Sequence, residues 1–259
     1  MDFTRKKYRE LLSQLKDSGY VFISYADYCG GNLQQRYVIL RHDVDLKPQN
    51  SLKVAQDEKR LGARASYYFR AVPESWDDNI IQAIQGLGHE VGYHYESLTT
   101  CNGDIQKAFE DFKKNLERLR KLVSVSTICM HGSPRSPYDS KDIWKSYDYK
   151  QLGIIGEPYL TTDFSKMLYL TDTGRRWDGY KVSVRDKIDG FQEKWNKEGL
   201  TFHSTDDIIQ ALQENHLPNH IMITTHPQRW FDFSFAWIKE FVLQNTKNII
   251  KRIIISRRK

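Results

Sequence analysis

Short apolar segments alternate with amphipathic segments along most of this chain of 259 residues. Short apolar runs indicate strands, whereas apolar residues that recur every three or four positions indicate helices. The predicted strands are 37–45, 65–70, 90–95, 126–131, 167–170 and 221–225, and the predicted helices are 50–61, 78–87, 104–123, 205–213 and 235–242. Strands that alternate with helices are typical of βαβ units, so the sequence predicts an α/β fold with a mainly parallel sheet or barrel.

Composition and charge exclude several classes of protein. The sequence has no apolar run of membrane-spanning length, and residues 1–16 are charged rather than like the apolar core of a signal peptide. We therefore expect a cytoplasmic protein without a transmembrane segment. The net charge of +6 is partly local, since five basic residues lie within 251–259. We expect a solvated basic tail there and no nucleic-acid partner.

The strand 37–45 ends in the acidic sequence RHDVD. Side chains alternate along a strand, so Arg41, Asp43 and Asp45 lie on one face and His42 on the other. Two carboxylates at the end of an apolar strand are costly unless a cation or a base neutralises them. The alternative is that the acids cap the following helix or bind Arg41.

Histidines end three other predicted strands. His94 lies near the end of 90–95, His131 ends 126–131, and His226 follows 221–225. His94 shares a face with Glu96, whereas His89 falls on the opposite face. Acids and histidines at one edge of a sheet predict a metal or acid–base site, and this ligand set suits Zn, with Fe, Ni or Co as alternatives.

Two segments, RHDVD at 41–45 and GHEVGYHYESL at 88–98, resemble motifs of the polysaccharide deacetylase superfamily, also called the NodB-homology or carbohydrate esterase family 4 group. The resemblance covers residues 37–230 and looks closest to members associated with surface-polysaccharide biosynthesis. It implies a deformed (β/α)7 barrel. We expect a single domain over 1–259, with 1–36 and 231–259 as flanking packing elements.

The resemblance also implies roles for the residues of these two motifs. Asp43 matches the catalytic base, and Asp45 and His94 match metal ligands. The family's second ligand histidine has Leu98 in its place here. His131 is the candidate replacement, with Glu96 as the second choice.

Two further segments extend the resemblance. Arg135 opens RSPY, which is similar to a motif whose arginine orients the base, and His226 in THP is similar to the general-acid histidine. The side chains that we expect to line the substrate site are Arg41, Tyr138, Trp177 and Trp230, although a buried structural role is the favoured interpretation of Trp177.

The expected function is therefore a metal-dependent hydrolase that removes an acetyl or formyl group from the nitrogen of a carbohydrate, a sugar nucleotide or a lipid-linked sugar. Leu98 motivates an alternative, a catalytically inactive barrel that binds a glycan or nucleotide-sugar. A further alternative is an amide or formamide hydrolase that acts on a small substrate.

Overall fold

The computed structural model describes residues 1–31, 33–133, 136–177, 188 and 190–232. Its strands are β1 Val21–Ile23, β2 Tyr37–Val44, β3 Ser66–Phe69, β4 Glu90–Tyr95, β5 Ile128–Met130, β6 Leu168–Thr171 and β7 His220–Thr225. Its helices are α1 Arg5–Asp17, α2 Tyr25–Gly30, α3 Pro48–Leu61, α4 Asp78–Gly86, α5 Ser97–Thr100, α6 Ile105–Arg120, α7 Pro158–Thr161, α8 Gln192–Lys197 and α9 Thr205–Gln213. Three 3₁₀ turns span Ser140–Lys145, Tyr149–Leu152 and Pro227–Arg229.

All seven strands pair in parallel, in the order β5-β4-β3-β2-β7-β6, with β1 also beside β2. Strand β2 is central: β7 pairs along one edge, while β1 and β3 share the other. The predicted α/β class with a parallel sheet is confirmed. The strands form a half-barrel sheet with helices, as expected for a deformed (β/α)7 barrel.

The buried sheet explains the apolar runs in the sequence. Every residue of β2 is buried, as are all those of β3, β4 and β6. A parallel sheet covered on both faces requires such continuous burial. Helix α1 packs against α3 and α9, so these helices cover part of the sheet.

Helix boundaries follow local signals. Helix α3 begins at Pro48, whose fixed φ suits a first helical position, and ends before Gly62 in the left-handed conformation. A capping box of Ser204 and Asp207 begins α9. The predicted helix 104–123 is shorter in the structure, and the predicted strand 167–170 is shifted by one residue.

The ends of the chain differ in how much can be described. Residues 1–36, expected as a flanking packing element, include strand β1 of the sheet as well as two helices. The predicted helix 235–242 and the basic residues of 251–259 lie outside the described residues. The single-domain organisation stays a prediction. Across the described ranges, no helix combines the length and apolarity needed to cross a membrane.

Candidate active site

The carboxyl ends of β2, β4, β5 and β7 bring acidic and histidine side chains together. The residues concerned are Asp43 in β2, Asp45 just after it, His94 in β4, His131 after β5 and His226 after β7. His94 Nε2 lies 3.9 Å from Asp43 Oδ2, and His226 Nε2 lies 3.9 Å from Asp45 Oδ2. Five residues from four separate strand ends therefore surround one small space.

Asp45, His94 and His131 have the geometry of a metal site. Asp45 Oδ1 lies 3.7 Å from His94 Nε2 and 3.5 Å from His131 Nε2, and all three ligand atoms lie within 4.8 Å of one another. Two ligands at tetrahedral angles around zinc are roughly 3.3 Å apart, given bonds of about 2.0–2.1 Å. The three residues fit a four-coordinate cation and leave its fourth position for water or substrate.

The two oxygens of Asp45 have different surroundings. Oδ2 accepts a hydrogen bond from Gln228 Nε2 at 3.2 Å. Oδ1 is buried and accepts none from any residue that the structure describes. A buried carboxylate oxygen without a donor is costly. A cation between Oδ1 and the two imidazoles would remove that cost.

Hydrogen bonds on the far side of each imidazole turn its Nε2 toward this space. His94 Nδ1 lies 2.9 Å from the carbonyl oxygen of Cys129, and His131 Nδ1 lies 2.8 Å from Glu96 Oε2. Partners of this kind fix the tautomer of a metal-binding histidine. Glu96 also accepts hydrogen bonds from Arg70. Glu96, the second choice for third ligand, therefore stands behind His131 as its orienting partner.

Leu98, at the position of the family's second ligand histidine, points away from the site. It is buried in α5, where it packs in a small apolar cluster with Ala108 and Ile143. His131 reaches the site instead because β5 pairs directly with β4, which carries His94. The structure thus brings a histidine from a neighbouring strand beside His94 and Asp45.

The charge states suit cation binding. Burial lowers the pKa of His94 to about 4, against the opposing effect of Asp43 and Asp45. Burial raises the pKa of Asp45, but the three surrounding imidazoles outweigh it and leave that pKa below its ordinary value. At neutral pH the site therefore offers a carboxylate and a neutral imidazole, the protonation states that a metal requires.

Asp43 is held by a buried arginine. Arg41 Nε and one terminal nitrogen donate to the two oxygens of Asp43 at 3.0 and 2.8 Å, and Arg41 also donates to the Tyr159 hydroxyl at 2.8 Å. Burial raises the pKa of Asp43, but Arg41 and then His94 lower it to below its ordinary value. Arg41 was expected to contact substrate, and this is corrected: it is completely buried and orients Asp43.

His226 forms a dyad with Asp172. His226 Nδ1 lies 2.6 Å from Asp172 Oδ1, and the His226 backbone N–H donates to Oδ2 at 2.9 Å. Arg229 and the indole N–H of Trp230 also donate to Asp172. Burial and Arg229 lower the pKa of His226, but Asp172 outweighs both and raises it. His226 Nε2 is left facing Asp45.

Neither of the two tryptophans that were expected to line the substrate site has an appreciable exposed surface in the structure. Trp177 is completely buried and donates its indole N–H to Thr205, and Trp230 is 1% exposed and bound to Asp172. Tyr138 is exposed, with its ring against Gly103, and its contact with substrate stays a prediction. Arg135 lies outside the described residues.

Sequence reasoning missed Asp172 and Gln228. Asp172 directly follows β6, so the rule that located the other acids and histidines applies to it as well. The predicted strand ended at residue 170, two residues short of the acid. Gln228 carries no such signal, since its role depends on the turn after His226.

Asp43, His94 and Cys129 form a second group whose ligand atoms lie within 4.8 Å of one another. In this group Arg41 already binds both oxygens of Asp43. The group of Asp45, His94 and His131 fits a cation better, because the oxygen that it offers has no donor among the described residues.

No family model and no curated protein matches the chain. Among solved structures, it is similar to Bacillus subtilis PdaA, a family 4 carbohydrate esterase, with 12% identity and a TM-score of 0.40 over 92% of this chain and 84% of that one. A Streptococcus mutans CE4 esterase has 15% identity and a TM-score of 0.46, over 92% and 90%. A mutant of BA3943, a CE4 family pseudoenzyme, has 11% identity and a TM-score of 0.39, over 85% and 68%.

Proposed function

We propose that this protein is a metal-dependent hydrolase that removes an N-acyl group, acetyl or formyl, from a carbohydrate, a sugar nucleotide or a lipid-linked sugar. One observation supports a bound metal ion. The buried Oδ1 of Asp45 lacks a hydrogen-bond donor among the described residues and faces the Nε2 atoms of His131 and His94 at 3.5 and 3.7 Å. The carbohydrate class rests on the sequence motifs. Zinc is the proposed ion, and the cytoplasmic location stays a prediction.

Asp45, His94 and His131 would hold the ion. A divalent cation supplies Lewis acidity toward an acyl carbonyl and lowers the pKa of water. Asp43 borders the same space, 3.9 Å from His94 Nε2, and as a carboxylate it takes a proton from the attacking water. Arg41 keeps Asp43 ionised and fixes its direction.

His226 protonates the leaving amine as the bond between the acyl carbon and nitrogen breaks. Asp172 binds Nδ1, so Nε2 is the nitrogen that exchanges the proton. The reaction consumes one water molecule and gives a carboxylate and an amine. The proposed base lies in β2 and the proposed acid directly after the neighbouring strand β7.

Metal analysis tests the first half of the proposal. Protein purified without chelator should contain close to one equivalent of transition metal, and Asp45→Asn or His131→Gln should lose most of it. His216→Gln, which alters an exposed histidine at the end of α9, is the matched control and should retain the metal. A wild type that binds less than about a tenth of an equivalent after zinc supplementation would favour a barrel that only binds a glycan.

Product release tests the second half. N-acetyl and N-formyl sugar nucleotides should release acetate or formate with the wild type, whereas Asp43→Asn should keep its metal and lose about 10²–10⁴-fold in rate. Full activity of Asp43→Asn on an identified substrate would contradict the role of Asp43 as the base.

A further inference from the structure

Gln228 lies beside the proposed ligand Asp45 but has no place in the chemistry above. It occupies the 3₁₀ turn Pro227–Arg229 and is 7% exposed. Its Nε2 donates to Asp45 Oδ2, and its own Oε1 is buried without a donor among the described residues. A buried amide held in this way requires an explanation, because an unsatisfied acceptor is costly.

The orientation of the Gln228 amide follows from charge. With Nε2 toward Asp45, a donor meets a carboxylate oxygen. The flipped amide would place Oε1 against that oxygen, so two acceptors would face each other. The cost of leaving Oε1 without a donor is smaller than that of two opposed acceptors beside a charge.

This hydrogen bond determines which oxygen of Asp45 faces His94 and His131. The last torsion of an aspartate is broad, so a carboxylate without a partner rotates easily. Arg70 donates to the backbone carbonyl of Asp45 at 3.3 Å, and this hydrogen bond does not restrict the carboxylate. Gln228 holds Oδ2 away from the space between His94 and His131, which leaves Oδ1 to face it.

We infer that Gln228 is a positioning residue that restricts Asp45 to one-oxygen coordination and thereby favours a four-coordinate zinc ion over larger ions. This inference rests on the proposed metal site and is independent of the substrate. A carboxylate that can rotate can offer both oxygens, which raises the number of ligands. Higher coordination numbers suit octahedral ions such as Mn²⁺ and are unfavourable for tetrahedral Zn²⁺.

The test compares Zn²⁺ and Mn²⁺ dissociation constants, measured by competition with a chromophoric chelator. Gln228→Met keeps the length of the side chain and removes both polar atoms, and Gln106→Met in α6 is the exposed control. Gln228→Met should weaken Zn²⁺ binding by at least about tenfold, the lower end of the range for partners of metal ligands. Mn²⁺ binding should weaken less, so that the ratio of the Mn²⁺ to the Zn²⁺ dissociation constant becomes smaller.

Other outcomes would contradict either the positioning role of Gln228 or its effect on metal selectivity. A Zn²⁺ dissociation constant within twofold of the wild type would show that Gln228 does not position Asp45. Equal weakening for both ions would overturn the selectivity. If Gln228→Met does not fold, Gln228→Ala repeats the comparison without inserting a long apolar chain. If the wild type binds neither Zn²⁺ nor Mn²⁺, the proposed metal site itself is wrong. That result is distinct from one in which the wild type binds metal and only the role of Gln228 is wrong.

Discussion

Replacement of Glu58 tests whether a buried polar network stabilises the sheet behind the site. Glu58 in α3 is completely buried and accepts three hydrogen bonds. The Tyr8 hydroxyl donates at 2.5 Å, Tyr67 at 2.6 Å, and His42 Nε2 lies 2.7 Å away. The carboxylate therefore joins α1, β2 and β3 to α3 at one point.

Glu58→Gln keeps the volume of the side chain but changes its hydrogen bonding. An amide has one acceptor oxygen, and its NH₂ group must face at least one of the three donors. That donor loses its acceptor, and the hydrogen bonds that remain are made to a neutral oxygen instead of a charged one. The lost hydrogen bond to a charged acceptor contributes about 1.5–3 kcal/mol, and each of the two that remain weakens by about 1 kcal/mol, so the total cost is about 3–5 kcal/mol. At about 2–4 °C per kcal/mol for a chain of this size, the melting temperature should fall by roughly 6–20 °C.

Tyr67→Phe is the matched control, because it removes one donor and leaves the acceptor with two. A single hydrogen bond to a charged group contributes about 1.5–3 kcal/mol, so this variant should lose less stability than Glu58→Gln. Urea unfolding near neutral pH, followed by far-ultraviolet circular dichroism, gives both free energies of unfolding.

The pH dependence gives the experiment a second readout. Burial raises the pKa of Glu58, but His42, together with His89 and the Tyr67 hydroxyl, outweighs it and leaves that pKa below the ordinary value of 4.5. A lowered carboxyl pKa stabilises the fold above the unfolded-state value, and this stability disappears as pH falls through the folded-state value. The difference between the wild type and Glu58→Gln should therefore shrink below about pH 4.5. A difference under about 1 kcal/mol at neutral pH, or one that does not shrink in acid, would refute this account of the network.

Three more changes probe other parts of the molecule. Asp172→Asn should reduce kcat about 10²–10⁴-fold without changing metal content, because His226 loses the partner that fixes its tautomer; parallel assays of product release and metal check this. Burial raises the pKa of Glu157 to about 7, so wild-type stability should fall by up to about 3 kcal/mol as pH rises from about 4.5 to 7, and urea unfolding of Glu157→Gln should show a flatter profile. Leu98→His, which restores the residue of the family motif, should lose about 1–3 kcal/mol by burying a polar ring, and titration with Zn²⁺ should show no gain in affinity.

The sequence was sufficient to predict the parts of the fold and site that depend on periodicity. Alternation along β2 placed Arg41 and Asp43 on one face and His42 on the other, and the structure has Arg41 bound to Asp43 while His42 binds Glu58. This prediction holds because the side-chain period of a strand does not depend on tertiary context. The parallel order of strands then brings the ends of β2, β4, β5 and β7 to one edge.

What the sequence could not predict depends on packing and on the precise end of a strand. Trp177 and Trp230 were expected at the substrate, but whether an aromatic ring is buried depends on its neighbours, here Phe3 and each other. Asp172 was missed because the predicted strand ended before it. Strand ends are predicted from weak local signals, so an error of one residue was enough to hide an acid on which the geometry of His226 depends.

The central strand β2 carries polar side chains on both faces, and this fixes the position of the site. His42 lies in one row with Tyr67 of β3 and Thr225 of β7, and its Nδ1 lies 2.6 Å from the Thr225 hydroxyl. A slip of one residue that brings Asp43 to the position of His42 would place it against the buried carboxylate of Glu58, where two like charges would meet without a cation. Electrostatics as well as packing therefore opposes a slip in that direction. Asp43 directly follows His42, and His226, the proposed acid, directly follows Thr225. The pairing of His42 with Thr225 therefore also sets the spacing between the proposed base and the proposed acid.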